Sequence, residues 1–241
     1  MPERADGVVA IVIPAYEAAA TIADVVSRSR QAAPGAAVYV VDDGSTDATG
    51  ERARGAGATL LVHSRNRGKG AALATGIAAA LEQNRGAGAR VIVTLDADGQ
   101  HAPEEVPRLA ELVLEGSADV VLGARARTAA MPWARRCTNW LSAALASRIG
   151  GVPVPDAQTG FRALSRRAAE AIRPAERSYD FEAAFLLAAL VAGMTVRSVP
   201  VATLYEGDGG GVDSHFRHGI DTWRLARVFT RYGRQILFGA R

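Results

Sequence analysis

Val91-Ile92-Val93-Thr94-Leu95-Asp96-Ala97-Asp98-Gly99-Gln100 runs five uncharged residues, four of them β-branched, straight into two carboxylates. β-Branched side chains are stiff and pack well on a pleated surface. A short run with no polar alternation predicts a strand over 91–95 that is covered on both faces, as in a parallel sheet. In an extended segment residues i and i+2 share a face. Asp96 and Asp98 therefore point into one pocket, with the small Ala97 turned away. Paired carboxylates at a strand end suit a hard divalent ion, Mg²⁺ or Mn²⁺. Gln100 adds a neutral oxygen on the same side.

Working outward, the same rhythm repeats. Strands are predicted over 8–13, 38–41, 60–63 and 120–122, with helices over 21–33, 47–56, 70–83 and 103–115. The alternation predicts an α/β fold, a Rossmann-like, mostly parallel sheet flanked by helices. Ligands of such sheets bind outside the carboxyl ends of the strands, where the polar clusters of this sequence fall. The second half is less regular. It predicts a helix over 135–149, a polar segment over 156–162, an Arg-rich helix from Ser165 and a helix over 179–192. A strand pair, or one strand bent at Pro200, is expected over 195–205, followed by a mobile glycine-rich loop over 207–213.

Composition narrows the function. Apolar residues make up 49% of 241, enough for a sizeable core, and the net charge of +3 is too small to demand nucleic acid as a partner. The single cysteine, Cys137, forms no internal disulfide and fits a reducing compartment. Residues 1–7 are polar, and the 8–13 run is too short for a secretory signal. No run approaches the roughly 18 apolar residues of a spanning helix. The expected location is the cytoplasm, peripheral on the inner face of the membrane.

Two more clusters carry chemistry. In Asp42-Asp43-Gly44-Ser45-Thr46-Asp47, Gly44 permits a tight turn, and Ser45 or Asp47 caps the next helix. Capping needs one acid, which leaves a second carboxylate for nucleobase or ribose donors. Pro14-Ala15-Tyr16-Glu17 forms the other wall, where Tyr16 offers a flat face and Glu17 an acceptor. Asn66-Arg67-Gly68-Lys69-Gly70 opens a helix and contains the only lysine of the chain. Glycines, a helix N-terminus and two cations make an anion site, although the spacing is not that of a Walker A loop.

Together these stretches resemble the family 2 glycosyltransferases of GT-A fold, in particular the branch of the polyprenyl- and dolichol-phosphate mannose synthases. The motifs that carry the resemblance are Ile13-Pro14-Ala15-Tyr16, Val41 to Asp47, Asn66 to Gly70 and Leu95 to His101. Asp156-Ala157-Gln158-Thr159-Gly160-Phe161-Arg162 adds a segment typical of that branch. The resemblance implies an inverting transfer of a sugar from a nucleotide-diphosphate donor to a polyprenyl phosphate. It implies donor contacts at Pro14, Tyr16, Glu17, Asp42, Asp43, Lys69, Asp96 and Ala97, and a metal at Asp96, Asp98 and Gln100. Acceptor contacts are implied at Arg125, Asn139, Arg162 and Arg135, with Arg136 the alternative to Arg135. The chain departs from the branch at Glu17-Ala18, Asp180 and Glu206, where Asn-Glu and two basic residues are usual.

One domain over 1–241 is expected: a nucleotide-sugar-binding half at 7–125, an acceptor half at 126–206, and a glycine-rich loop with an amphipathic helix at 207–241. On that helix Leu225, Val228, Phe229, Tyr232 and Ile236 share one face, while Arg224, Arg227, Arg231 and Arg234 occupy the other. It either packs on the domain or lies on an anionic membrane. Three other activities remain open. Transfer to a hydroxyl of a soluble acceptor needs a base, for which Asp156, Asp180 and Glu182 are candidates, with Asp96 and Asp98 catalytic through the metal. A non-catalytic nucleotide-sugar-binding module sits poorly with two retained aspartates. A nucleotidyltransferase would want a glycine-rich loop after the first strand.

Overall fold

The computed structural model describes residues 8–82, 89–125, 133–178, 180–202 and 226–233, with backbone alone for 133–138. In chain order the elements are β1 (Val9–Ala15), α1 (Ile22–Ala32), β2 (Ala37–Asp42), α2 (Thr49–Gly55), β3 (Thr59–Val62), α3 (Lys69–Glu82) and β4 (Val91–Thr94). A 3-10 turn (Pro103–Glu105) leads into α4 (Val106–Leu114). Then come β5 (Val120–Arg125), α5 (Trp133–Gly150), β6 (Arg162–Ser165), α6 (Arg166–Ala171), α7 (Phe181–Val191) and β7 (Val196–Val201). Residues 226–233 are helical.

The strands form one seven-stranded sheet in the order β3-β2-β1-β4-β6-β5-β7. Every pairing is parallel except those of β6, which runs antiparallel between β4 and β5. This is the mostly parallel α/β sheet that the first half predicts, with one insertion. The sequence reading treats 156–162 as a polar segment and passes over β6. The strand is four residues long and opens on an arginine, so it carries no apolar run. β7 is a single strand that continues through Pro200. Proline is tolerated there because β7 lies at the sheet edge and needs no donor on its free side. The expected loop over 207–213 lies outside the described residues.

Alternate residues of each strand serve opposite faces. Val9, Ile11 and Ile13 pack with α1 and α4, in a cluster that includes Val25, Val26 and Leu109. Ala10 and Val12 pack with α3, α6 and α7, in a cluster that includes Leu73, Ile77, Ala168 and Phe185. Val228 and Phe229 of the 226–233 helix are buried in that second cluster, and Tyr232 packs against it. Arg231 donates to Glu176 at 2.8 Å. The apolar residues described on this helix therefore lie on the protein body, and the packed reading of the helix holds for them.

Close approach of α3 to the sheet needs a missing side chain. A Cβ on Gly76 would overlap Val12 and crowd Val41. Gly55, at the end of α2, has nothing within 4 Å of where its Cβ would be. Gly76→Ala should cost about 1–3 kcal/mol through overpacking. Gly55→Ala should be neutral or stabilise by up to about 1 kcal/mol. Urea unfolding of the two variants checks the contrast.

Candidate active site

The site lies at the carboxyl ends of β1, β2 and β4, where three loops are tied to one another. The main chain leaves β1 at Tyr16, which is 37% exposed. Glu17 follows with a φ of 50°, costly for a non-glycine residue. Hydrogen bonds hold it there. Its N–H donates to Ser45 Oγ at 3.0 Å, and its Oε1 accepts from Thr46 N–H at 2.7 Å and the Thr46 hydroxyl at 3.0 Å. Glu17 thus joins the two walls of the expected nucleotide pocket. Asp47 accepts from Thr49 N–H at 2.9 Å, a bond to the first residue of α2 made from one position before its N-cap, Ala48, so neither Ser45 nor Asp47 is the expected N-cap.

The two carboxylates after β2 divide their work. Asp42 is buried and its Oδ1 accepts from Ser45 N–H at 2.9 Å, which shapes the turn. Asp43 is 2% exposed and accepts from His63 Nδ1 at 2.6 Å, Arg67 N–H at 2.9 Å and Gly68 N–H at 2.7 Å. Its three donors hold the 66–68 turn against the sheet. His63 also lies 3.0 Å from the Thr75 hydroxyl on α3. The sequence reading missed His63. Its one visible signal is its position at the end of β3, on the same sheet edge as Asp43.

That turn delivers Lys69. A Cβ on Gly68 would overlap the carbonyl of Arg177, and one on Gly70 would lie 2.7 Å from Phe181 Cβ. The turn therefore sits directly on the start of α7. Lys69 Nζ reaches Asp96 Oδ1 at 2.8 Å and Glu182 Oε1 at 2.7 Å. Burial alone would pull the ammonium pKa down. Asp96 and Glu182 outweigh it and hold the pKa well above the usual lysine value. Burial pushes the Asp96 carboxyl up, but Lys69, with His101, holds it well below the carboxylate range. His101 Nε2 lies 3.6 Å from Asp96 Oδ2, and its ring tilts against Phe161 at 5.3 Å.

Asp98 is different. Burial, and then the negative charge of Asp96, push its carboxyl above the usual range. Its Oδ1 accepts from Gln100 N–H at 3.0 Å. Among the described residues no cation lies within ion-pair distance of it. Ala97 is buried, as expected, and its carbonyl accepts from the Thr21 hydroxyl at 2.6 Å.

The 156–162 segment closes the other side. Asp156 is 1% exposed and takes Arg125 Nε at 2.8 Å and a second Arg125 nitrogen at 3.3 Å. Burial pushes the Asp156 carboxyl up, but Arg125 brings it below the ordinary value. Gln158 donates to the Ser142 hydroxyl of α5 at 3.0 Å, and Thr159 to the Gly123 carbonyl at 2.8 Å. Gly160 accepts from the Thr94 hydroxyl at 2.6 Å and lies so close to Asp96 that a Cβ would overlap the carboxylate. Arg162, expected at the acceptor phosphate, is turned inward. Its guanidinium donates to the carbonyls of Thr159 at 2.8 Å, Glu182 at 2.6 Å and Ala157 at 3.0 Å. Burial pushes its pKa down to about 10. Arg162 thus positions the segment and the start of α7.

Asp96, Lys69, Glu182, Asp98 and Gln100 meet at one place. Asp180 precedes α7 and accepts from Ser178 N–H at 3.2 Å. Asn139 is buried on α5. The side chain of Arg135 lies outside the described residues.

The profile of Glycosyl transferase family 2 matches residues 10–173, and the chain belongs to that family. A UDP-N-acetylglucosamine–dolichyl-phosphate N-acetylglucosaminyltransferase of Methanococcus voltae is 28% identical over 83% of this chain and 87% of its own. A polyprenol monophosphomannose synthase of Mycolicibacterium smegmatis is 30% identical over 79% of this chain and 75% of its own. In fold, glucosyl-3-phosphoglycerate synthase of Mycobacterium tuberculosis, crystallised with Mn²⁺, UDP-glucose and phosphoglyceric acid, superposes with a TM-score of 0.72. It covers 95% of this chain and 81% of its own at 23% identity. The sheet is the GT-A fold.

Removing Lys69 leaves two carboxylates without their shared cation. Lys69→Met should cost about 3 kcal/mol of stability, since breaking a buried pair strands a charge. Lys69→Met with Glu182→Gln should lose less than the sum of the single changes, as read from denaturant midpoints. Asp156 gives a pH signature. A depressed folded pKa contributes stability above the unfolded value of about 3.9, which is lost as pH falls through the folded value. Arg125→Met removes that contribution. The gap between wild type and variant should be widest at neutral pH and narrow below about pH 4. Thermal melts from pH 7 to about 3 check it.

Proposed function

We propose that this protein is an inverting transferase that moves a sugar from a nucleotide-diphosphate donor to a polyprenyl phosphate. The observation that carries the reading is the pairing of Asp156 with Arg125. A hydroxyl acceptor needs a poised base. Asp156 is ion-paired and held in its weakly basic form, Glu182 is tied to Lys69, and Asp180 accepts from the main chain. A phosphate arrives already ionised and needs none of them. Relatives named for dolichyl-phosphate and polyprenol phosphate transfer support the lipid acceptor.

In this reading a phosphate oxygen of the acceptor attacks the anomeric carbon as the bond to the diphosphate oxygen breaks. Tyr16, Asp42 and the turn braced by Glu17 hold the nucleoside end, while Lys69 sets Asp96 in place. Arg125 faces the acceptor half and can share its guanidinium with an incoming phosphate.

A hard divalent cation fits the residues present. Asp98 is a partly buried carboxylate with a raised pKa and no cation in ion-pair range among the described residues, so an added positive charge would relieve it. Among those residues no three His, Cys, Asp or Glu side chains form a closed metal cage. Mg²⁺ and similar ions use one or two carboxylates and take further oxygens from substrate phosphates. Asp98, Asp96 and Gln100 would hold the ion, which when bound offsets the charge of the departing diphosphate.

Transfer to a soluble hydroxyl acceptor is the second reading. Glu182 Oε2, buried and without a hydrogen-bond partner among the described residues, favours it as a base.

Radiolabelled UDP- and GDP-sugars offered with undecaprenyl phosphate and Mn²⁺ should yield label in the organic phase. Asp98→Ala should abolish the product and the calorimetric heat of Mn²⁺ binding, with the melting curve intact. Label transferred only to soluble hydroxyl acceptors would sink the lipid reading. Full Mn²⁺ binding by the variant would sink the metal role.

A further inference from the structure

α5 is built the wrong way round for a helix in water. Its inward face carries the polar Asn139 and Ser142 beside Ala143 and Ala146, all buried. Its outward face carries Trp140 at 59%, Leu141 at 53% and Leu145 at 37% exposure, with Ala144 between them. Six large apolar side chains are exposed among the described residues, and three of them sit on this one helix. At 3.6 residues per turn, positions 140, 141, 144, 145 and 148 form a single stripe. Arg148, exposed, ends the stripe, and Arg135 and Arg136 lie in the first turn. The helix contains no acidic residue.

We propose that the outward face of α5 docks into the headgroup and acyl boundary of an anionic bilayer. The inference rests on the lipid-phosphate reading above. Three features select this occupant. An exposed tryptophan beside leucines matches the interfacial region, where amphipathic aromatic rings settle. Arg148, exposed at the end of the stripe on a helix with no acidic residue, complements anionic headgroups. Position is the third: the inward face of the same helix touches the site, because Ser142 accepts from Gln158 in the 156–162 segment. A helix is about 10–12 Å across, so a bilayer on the outer face lies about one helix diameter from the segment that carries Asp156, the partner of Arg125. A polyprenyl chain can stay in lipid while its phosphate reaches that segment. The 226–233 helix is the poorer docking element, since Val228 and Phe229 are buried against the body. No helix among the described residues is long and apolar enough to cross a membrane.

The full chain is floated with vesicles of phosphatidylglycerol and, separately, of phosphatidylcholine. Binding is expected to the anionic vesicles, and Trp140→Ser/Leu141→Ser/Leu145→Ser should lower it by about tenfold, in line with loss of the buried apolar face. The changed residues are exposed, so the melting curve and sugar transfer to a short-chain, water-soluble polyprenyl phosphate should be unaltered. A second measurement needs no loss of binding. The chain has three tryptophans, and Trp133→Phe/Trp223→Phe leaves Trp140 as the only emitter. Brominated lipids should quench it. Flotation of the triple-serine variant equal to wild type, or an unquenched Trp140, overturns the proposal. A wild-type dimer that the triple change dissociates, with no vesicle binding, assigns the face to a second copy and also overturns it. Salt-sensitive flotation with no lipid-linked product from wild type would support docking while the transfer reading fails.

Discussion

Lys69 stands between Asp96 and Glu182, and the geometry of the site depends on that one ammonium. Two carboxylates from distant parts of the chain, one after β4 and one opening α7, share a single, largely buried cation. Without it their mutual repulsion would act in a medium that screens far less than water. Each member of the trio is placed by a different device. Asp43 holds the turn that carries Lys69, Arg162 holds the start of α7 through the Glu182 carbonyl, and Gly160 packs directly on Asp96. A change at any of these three would be felt at the other two.

This arrangement sorts the acids of the site by what they can do. Asp43 is consumed by main-chain donors and a histidine, and Asp156 by Arg125. Asp96 and Glu182 lean on Lys69. Asp98 is partly buried and has no cation in ion-pair range among the described residues. Of these acids, Asp98 has its carboxyl pushed above the usual range by burial and by the charge of Asp96, while Arg125 holds that of Asp156 below it. The charges inside the site are set by arginine and lysine: Arg125 on Asp156, and Lys69 on Asp96 and Glu182.

Much of this was legible in the sequence because the first half obeys period and punctuation. Strands β1, β2, β4 and β5 are β-branched runs that end at charged turns, and their order placed Asp42 and Asp96 on one edge. The spacing misplaces the cap: it points to Ser45 or Asp47, and α2 begins after Ala48. The long-range pairs were not legible. Nothing local in Asn66-Arg67-Gly68-Lys69-Gly70 announces that its lysine meets Glu182, since the contact is made by packing of Gly68 and Gly70 on the 177–181 stretch. Arg162 misled for a related reason. Arginine is rarely buried without partners, so an arginine in a polar segment reads as a ligand for phosphate. Here three carbonyls satisfy it, inside a four-residue strand too short to show a pattern.

Amphipathicity read from sequence says that a helix has an apolar face, and not what covers it. The 226–233 helix has a clear apolar stripe, and the protein's own core covers the part described. α5 shows little segregation in sequence because small alanines and polar Asn139 and Ser142 line the side that is buried. Its tryptophan and leucines would be assigned to the core by composition alone, yet they face outward. Burying an amide and a hydroxyl is tolerable when they find partners, as Ser142 does in Gln158. Leaving Trp140, Leu141 and Leu145 partly in water forfeits roughly half of the about 1.5–3 kcal/mol that full burial of a large side chain contributes. A helix next to the acceptor side of a site carries that cost without benefit in a protein that works only in bulk water, and recovers it where the outer face meets an apolar phase.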